Sequence, residues 1–188
     1  MKKTKTTKVP PLYLTRLAKI QFSLVAIYSI YIIIFDSGNV LTREAVYHRW
    51  IMAAVLLVVF TLFWVSTKKA PAKVCFALLI ASVLAQIAFA GFSVYWERGM
   101  ASMSTILFAL PIVTMSLSGS RTYTMGTALL AATAYIVACT KYFYDFFNEG
   151  YRVQLYGQMF FFAAVLLLIG WAAAIVAHAY SKILNNKS

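Results

Sequence analysis

The sequence predicts an all-α integral membrane protein, a six-transmembrane-helix bundle with both termini in the cytoplasm. Three observations lead there. Of 188 residues, 62% are apolar and only 12% charged, with a mean hydropathy of +0.79, more apolar surface than the interior of a soluble domain of this length can hide. The apolar residues fall into six runs separated by short polar turns, five of them without any charge and the fifth with one lysine. The basic residues, finally, are distributed unevenly between the two sets of turns.

The elements follow in order. Residues 1–19 carry Lys2, Lys3, Lys5, Lys8, Arg16 and Lys19 without an acid, and Pro10-Pro11 opposes an early helix, so they read as a basic cytoplasmic tail. Nothing like a cleavage site follows the first apolar run, so it reads as a retained span rather than a secretory signal. That span, about 20–35, is the most polar. Helical spacing turns Gln21 and Tyr28 to one face with Tyr31 nearby, for interhelical hydrogen bonding or for a ligand. After the turn Asp36-Ser37-Gly38-Asn39, a second span covers about 50–67 with Trp50 and Trp64 near its ends. A basic turn with Lys68, Lys69 and Lys73 leads to the third span, 74–96. Its small ladder Ala77, Ala81, Ala85 and polar pair Ser82, Gln86 predict close packing.

The turn Trp96-Glu97-Arg98-Gly99 opens a fourth span at 99–120, with Pro111 expected to kink it. The fifth, 122–144, has several small-xxx-small spacings from Gly126 to Ala138 and a helix-end pair Lys141 and Asp145. The sixth, 153–180, closes a membrane domain of residues 20–181. From Val153 to Ser181 it runs 29 residues without a charge, longer than the roughly 20 a bilayer needs. A tail of 182–188 follows.

Alternating the spans places twelve basic residues and no acid on one side, and five basic residues with all five acids on the other. The first side is cytoplasmic, which locates the chain in a bacterial-type inner (plasma) membrane with both termini inside. The net charge of +12 is then positive-inside bias rather than a nucleic-acid footprint.

The acids of the other side concentrate where a ligand could enter. Candidate ligand-binding residues at this outer mouth are Tyr31, Asp36, Trp96, Glu97, Asp145, Gln154 and Gln158, around a pocket lined by the first, third, fourth and sixth helices. The plainer reading is solvated loop charges in weak local pairs.

No catalytic residue, metal site or cofactor is predicted. His48 and His178 fall on opposite sides of the bilayer, as do Cys75 and Cys139, and Lys141 lies at a helix end where a Schiff base is not expected. Ser118 and Ala177-His178 are superficially similar to rhomboid proteases. Ser116 and Ser181, however, stand where that family's motifs require glycine.

The basic tail, the turns Trp96-Glu97-Arg98-Gly99 and Ser118-Gly119-Ser120-Arg121, the acidic turn with Asp145 and Glu149, and the aromatic sixth helix (Phe160, Phe161, Phe162, Trp171) carry a resemblance. Over residues 15 to 182 the chain resembles the six-helix receptor domains of class III adenylyl cyclases and quorum-sensing histidine kinases. The resemblance implies a homodimer that takes a small lipophilic or amphipathic ligand and signals through the sixth helix to a cytoplasmic effector domain or protein. Gly170 to Ala174 with Ala177 would offer a closely packable surface, between copies or within one. No kinase or cyclase domain lies between the sixth span and Ser188. The resemblance therefore implies either part of a longer sensor or a membrane protein with a separate partner. In size and topology the chain is also similar to substrate-capture subunits of energy-coupling factor transporters, which makes a small-solute transporter subunit the alternative.

Overall fold

A computed structural model describes residues 11–38, 42–69, 71–97, 99–147 and 153–186. Among them every regular element is helical: α1 (Pro11–Ser37), α2 (Arg43–Lys69), α3 (Ala72–Trp96), the 3-10 turns Gly99–Ala101 and Met103–Phe108, α4 (Ala109–Ser116), α5 (Arg121–Phe147) and α6 (Val153–Asn186). Five of the six α-helices are long and apolar enough to cross a membrane; the remaining apolar helical stretch, Met103–Ser116, is shorter. Their outer faces carry Ile27, Ile30, Val58, Leu62, Leu84, Leu129, Val137, Phe161 and Val176, all exposed. Spread over every long helix, such faces are fitted to lipid and are far larger than the apolar patches that water tolerates. This is a multi-pass membrane protein.

The helices are longer than the apolar runs from which they were predicted. α1 begins at Pro11, so residues 11–19, predicted as tail, are helical and continuous with the first span. A proline in the first turn of a helix lacks an N–H that would have no partner there anyway, and its φ is already set for the helix. Residues 1–10 lie outside the described residues. At the other end α6 continues to Asn186, through most of the predicted second tail.

Residues 10–85 form one compact unit and residues 86–188 a second, the change falling within α3. In the first unit α1 packs along α2, and Leu17, Ala18, Phe63 and Leu79 form a buried cluster. The face of α1 chosen by helical spacing is the buried one. Gln21 donates through Nε2 to the Ser82 hydroxyl at 3.2 Å, and Tyr28 stacks on Tyr31 with ring centroids 6.0 Å apart. Ser82 is buried as expected, but Ala77 and Ala81 are exposed. Small side chains lose little by facing lipid, whereas the Gln21 amide needs a partner away from it, and Ser82, whose own hydroxyl donates to the Leu79 carbonyl at 2.8 Å, supplies one.

In the second unit α5 and α6 pack most extensively, and α4 rests on both. The small residues explain the closeness. A methyl group on Gly170 would come within 2.2 Å of the Ala128 Cβ, so α6 is seated on α5 where both have almost no side chain. Gly170, Ala174 and Ala177 are buried, so this face of α6 is used within the chain. Above it Tyr135, fully buried, sits between Phe108 and Phe162 in edge contacts.

The fourth predicted span is the irregular one. Instead of a single kinked α-helix over 99–120, 3-10 geometry extends to Phe108 and only eight residues are α-helical. Pro111 occupies the first turn of α4, where the absent N–H costs nothing. The 3-10 segment is started by Ser102, whose side chain accepts from the Ser104 amide at 3.0 Å.

Candidate functional site

Polar chemistry in the second unit collects where α3 and α5 end side by side. Tyr95, one residue from the end of α3, donates its hydroxyl to Asp145 Oδ2 at 2.8 Å. Lys141, one turn before Asp145 on α5, reaches the same oxygen at 2.9 Å and lies 5.7 Å from the centre of the Tyr95 ring. One carboxylate oxygen thus receives a phenol and an ammonium, and the ammonium also rests on the ring of that phenol. Around them stand Trp96, Tyr142 and Phe146, with Tyr95–Trp96 centroids at 5.7 Å and Tyr142–Phe146 at 4.9 Å. Amphipathic rings grouped at helix ends belong at the level of lipid headgroups. Gly99, at φ 61°, passes so close that a Cβ would lie 2.8 Å from Tyr142 Cδ1. Only glycine allows this approach together with that backbone conformation.

Below this rim α3 and α5 part. Ile87, Ala88, Gly91, Phe92 and Tyr95 on one helix and Ala134, Val137, Ala138 and Lys141 on the other line a groove of about 280 Å³. Its walls are apolar and its polar groups are at one end. It is a shallow groove, open on the side away from the two helices, rather than an enclosed pocket.

The residues predicted for the outer mouth separate into different surroundings. Asp145 and Trp96 belong to the rim just described. Glu97 is turned to the hydroxyls of the segment that follows it: its carboxylate accepts from the Ser102 hydroxyl at 3.0 Å and from the Ser104 hydroxyl, which ties down the start of the 3-10 segment. Tyr31, in the other unit, accepts at its hydroxyl from Arg49 Nη1 at 3.1 Å, and the guanidinium lies 5.4 Å from its ring centre. Arg49 is only 4% exposed, so Tyr31 helps hold a buried cation. Asp36 is exposed in the last turn of α1, and Gln158 is exposed on α6. The side chain of Gln154, like the whole of Glu149, lies outside the described residues.

Sequence reasoning paired Lys141 with Asp145 but missed Tyr95 and Gly91. Tyr95 had a signal, an aromatic beside a tryptophan at a helix end. Gly91, with Ala88, Ala134 and Ala138, had only the small-residue signal, which ordinarily means contact rather than a gap.

No known protein family, curated protein or solved structure matches the chain.

Among the described residues no group of three or more His, Cys, Asp or Glu could hold a metal ion, and Cys75 and Cys139 are both buried thiols. Ser118, the serine of the rhomboid comparison, is buried in the turn before α5, where its oxygen accepts from the Ser120 amide at 3.3 Å. That is a turn-stabilising role.

Proposed function

We propose that the chain is a receptor-like membrane module that passes an outer-side or intramembrane signal through α6 to a cytoplasmic effector domain or partner. It works as a homodimer in a bacterial-type inner membrane, crosses that membrane six times, and keeps both ends in the cytoplasm. The observation that carries the reading is the continuity of α6. Its apolar window ends at Ala179, yet the same helix runs unbroken from Val153 to Asn186, 34 residues or about 51 Å at 1.5 Å per residue. A helix that leaves the bilayer without a break carries a shift or rotation of its buried part into the water beyond.

The sixth crossing falls to residues 99–116. A 3-10 helix rises about 2.0 Å per residue against about 1.5 Å for an α-helix, so the continuous stretch Met103–Ser116 reaches roughly 24 Å, and the turn Gly99–Ala101, set off from it by the extended Ser102, extends the segment toward the thickness of the hydrocarbon layer. Both helix types satisfy their own backbone groups, as lipid demands.

The test is a dimeric cyclase reporter joined after Asn186, with one to four residues inserted at the junction. Basal output should rise and fall with the helical period. Output indifferent to phase would overturn the signalling role of α6.

A transporter subunit is the second reading, and the non-α segment Met103–Phe108 is what favours it, since substrate sites of carriers are built at interrupted helices. It predicts solute uptake by vesicles that also contain a coupling partner.

A further inference from the structure

We propose that the groove between α3 and α5 is a binding site for one zwitterionic glycerophospholipid, an acyl chain lying along its walls and the headgroup resting on Lys141 and Asp145. The inference rests on the membrane embedding of the chain and holds whether the protein signals or transports.

The walls make a slot for a chain of methylenes. Ala88, Gly91, Ala134 and Ala138 supply almost no side chain, so the two helices are separated by a gap where small residues usually bring helices together. Phe108, fully buried, packs close to Gly91, its Cζ 3.9 Å from where a Cβ would stand. From Ile87 to Tyr95 the slot follows nine residues of α3, about 12 Å along the axis from first to last. The groove is open along its length to the surrounding hydrocarbon, so an acyl chain can enter it from the side.

The headgroup follows from the charges. The polar groups of the slot, Tyr95 and Lys141, are at one end, and just beyond them on the rim Asp145 stands 2.9 Å from Lys141, so the mouth offers one charge of each sign. Tyr95 completes the group by holding Asp145 on the α3 side. Lys141, exposed over 62% of its side chain, has donors to spare for a phosphate, and Asp145 can accept from an ammonium. A headgroup with both signs matches the pair charge for charge. A purely anionic headgroup or a fatty-acid carboxylate would meet Asp145 at close range, and an uncharged one would leave the pair unmatched. The aromatic rings about Tyr95 lie at the depth where headgroups begin.

The experiment uses the full chain reconstituted in vesicles of equal parts phosphatidylethanolamine and phosphatidylglycerol, then transferred to mild detergent. Native mass spectrometry counts the lipids retained per chain. The expected result is one phosphatidylethanolamine, in roughly tenfold preference over phosphatidylglycerol, equivalent to about 1.4 kcal/mol. Gly91→Leu fills the slot and should abolish retention. Ala88→Leu narrows it from an exposed position that cannot disturb the interior, and should weaken retention in the same direction. The pair Lys141→Gln and Asp145→Asn together should leave a lipid bound while erasing the preference. Equal or greater retention of phosphatidylglycerol by the unaltered chain would overturn the headgroup assignment. Undiminished retention in both leucine variants, or none in the unaltered chain, would overturn the site.

Discussion

The seat of α6 on α5 gives a prediction whose size follows from one distance. In Gly170→Ala the new methyl would stand 2.2 Å from the Ala128 Cβ, whereas ordinary van der Waals contact begins near 3.4 Å. The helices must therefore separate locally by more than 1 Å. Neither partner can turn aside, because the Ala128 Cβ is fixed to its backbone and Ala128 is fully buried. Overpacking of this kind costs about 1–3 kcal/mol, a reduction in the folded-to-unfolded ratio of roughly 5- to 150-fold. Ala128→Gly alone should be milder, about 1 kcal/mol, from a lost methyl and the lower helix propensity of glycine. The double variant moves the methyl from one helix to the other and should recover most of what Gly170→Ala loses. The assay is reversible unfolding in mixed micelles, with the interaction taken from the double-mutant cycle. If Gly170→Ala were neutral, or if Ala128→Gly failed to rescue it, the close α5–α6 contact would be refuted.

Two other sites make separable predictions. Tyr31→Phe keeps the ring beneath Arg49 but removes an acceptor from a buried cation, and should destabilise the chain by about 1.5–3 kcal/mol. Tyr31→Leu, which also removes the ring, should cost more, both read from thermal unfolding in detergent. Gln86 is buried on α3 and accepts from the Thr114 hydroxyl at 3.2 Å, while its Nε2 has no partner among the described residues. Gln86→Met should therefore lie within about 1 kcal/mol of the unaltered chain, because Thr114 can turn to the carbonyl one turn earlier. A loss above roughly 3 kcal/mol in the same assay would mean that the Gln86 amide holds something else.

Legibility in the sequence varied with the kind of force involved. Long apolar runs announce themselves, and five of the six became long apolar helices. Local pairs were also readable: Lys141 and Asp145 lie one turn apart and meet. The polar residues of α1 and α3 identified inward faces, since lipid offers the Gln21 amide nothing to bond and Ser82 does. Apolar residues could not do the same. In water a helix reveals its buried face through the contrast between its sides, but in lipid both sides are apolar and the contrast is lost. That is why Ala77 and Ala81 gave no indication of their exposure. The segment before α4 was missed for another reason. Its composition is that of an ordinary span, and its 3-10 geometry goes with hydroxyls of Ser102 and Ser104 meeting the Glu97 carboxylate, a pairing no periodicity displays. The groove required two helices to be placed together before its small residues could be seen to leave space.

The most direct measurement concerns which face of the membrane holds each end of the membrane domain. Five crossings place a tag before Pro11 and a tag after Asn186 on opposite faces; six, with residues 99–116 spanning, place them on the same face. Tags at these positions, together with Ser37→Cys as an opposite-face marker, are read with membrane-impermeant reagents in sealed and opened cells. Cys75 and Cys139 are buried and should contribute little background. Both tags should react only after the membrane is opened, and the cysteine at position 37 should react in sealed cells. Tags found on opposite faces would contradict the sixth crossing, and with it the cytoplasmic exit of α6 on which the signalling proposal depends.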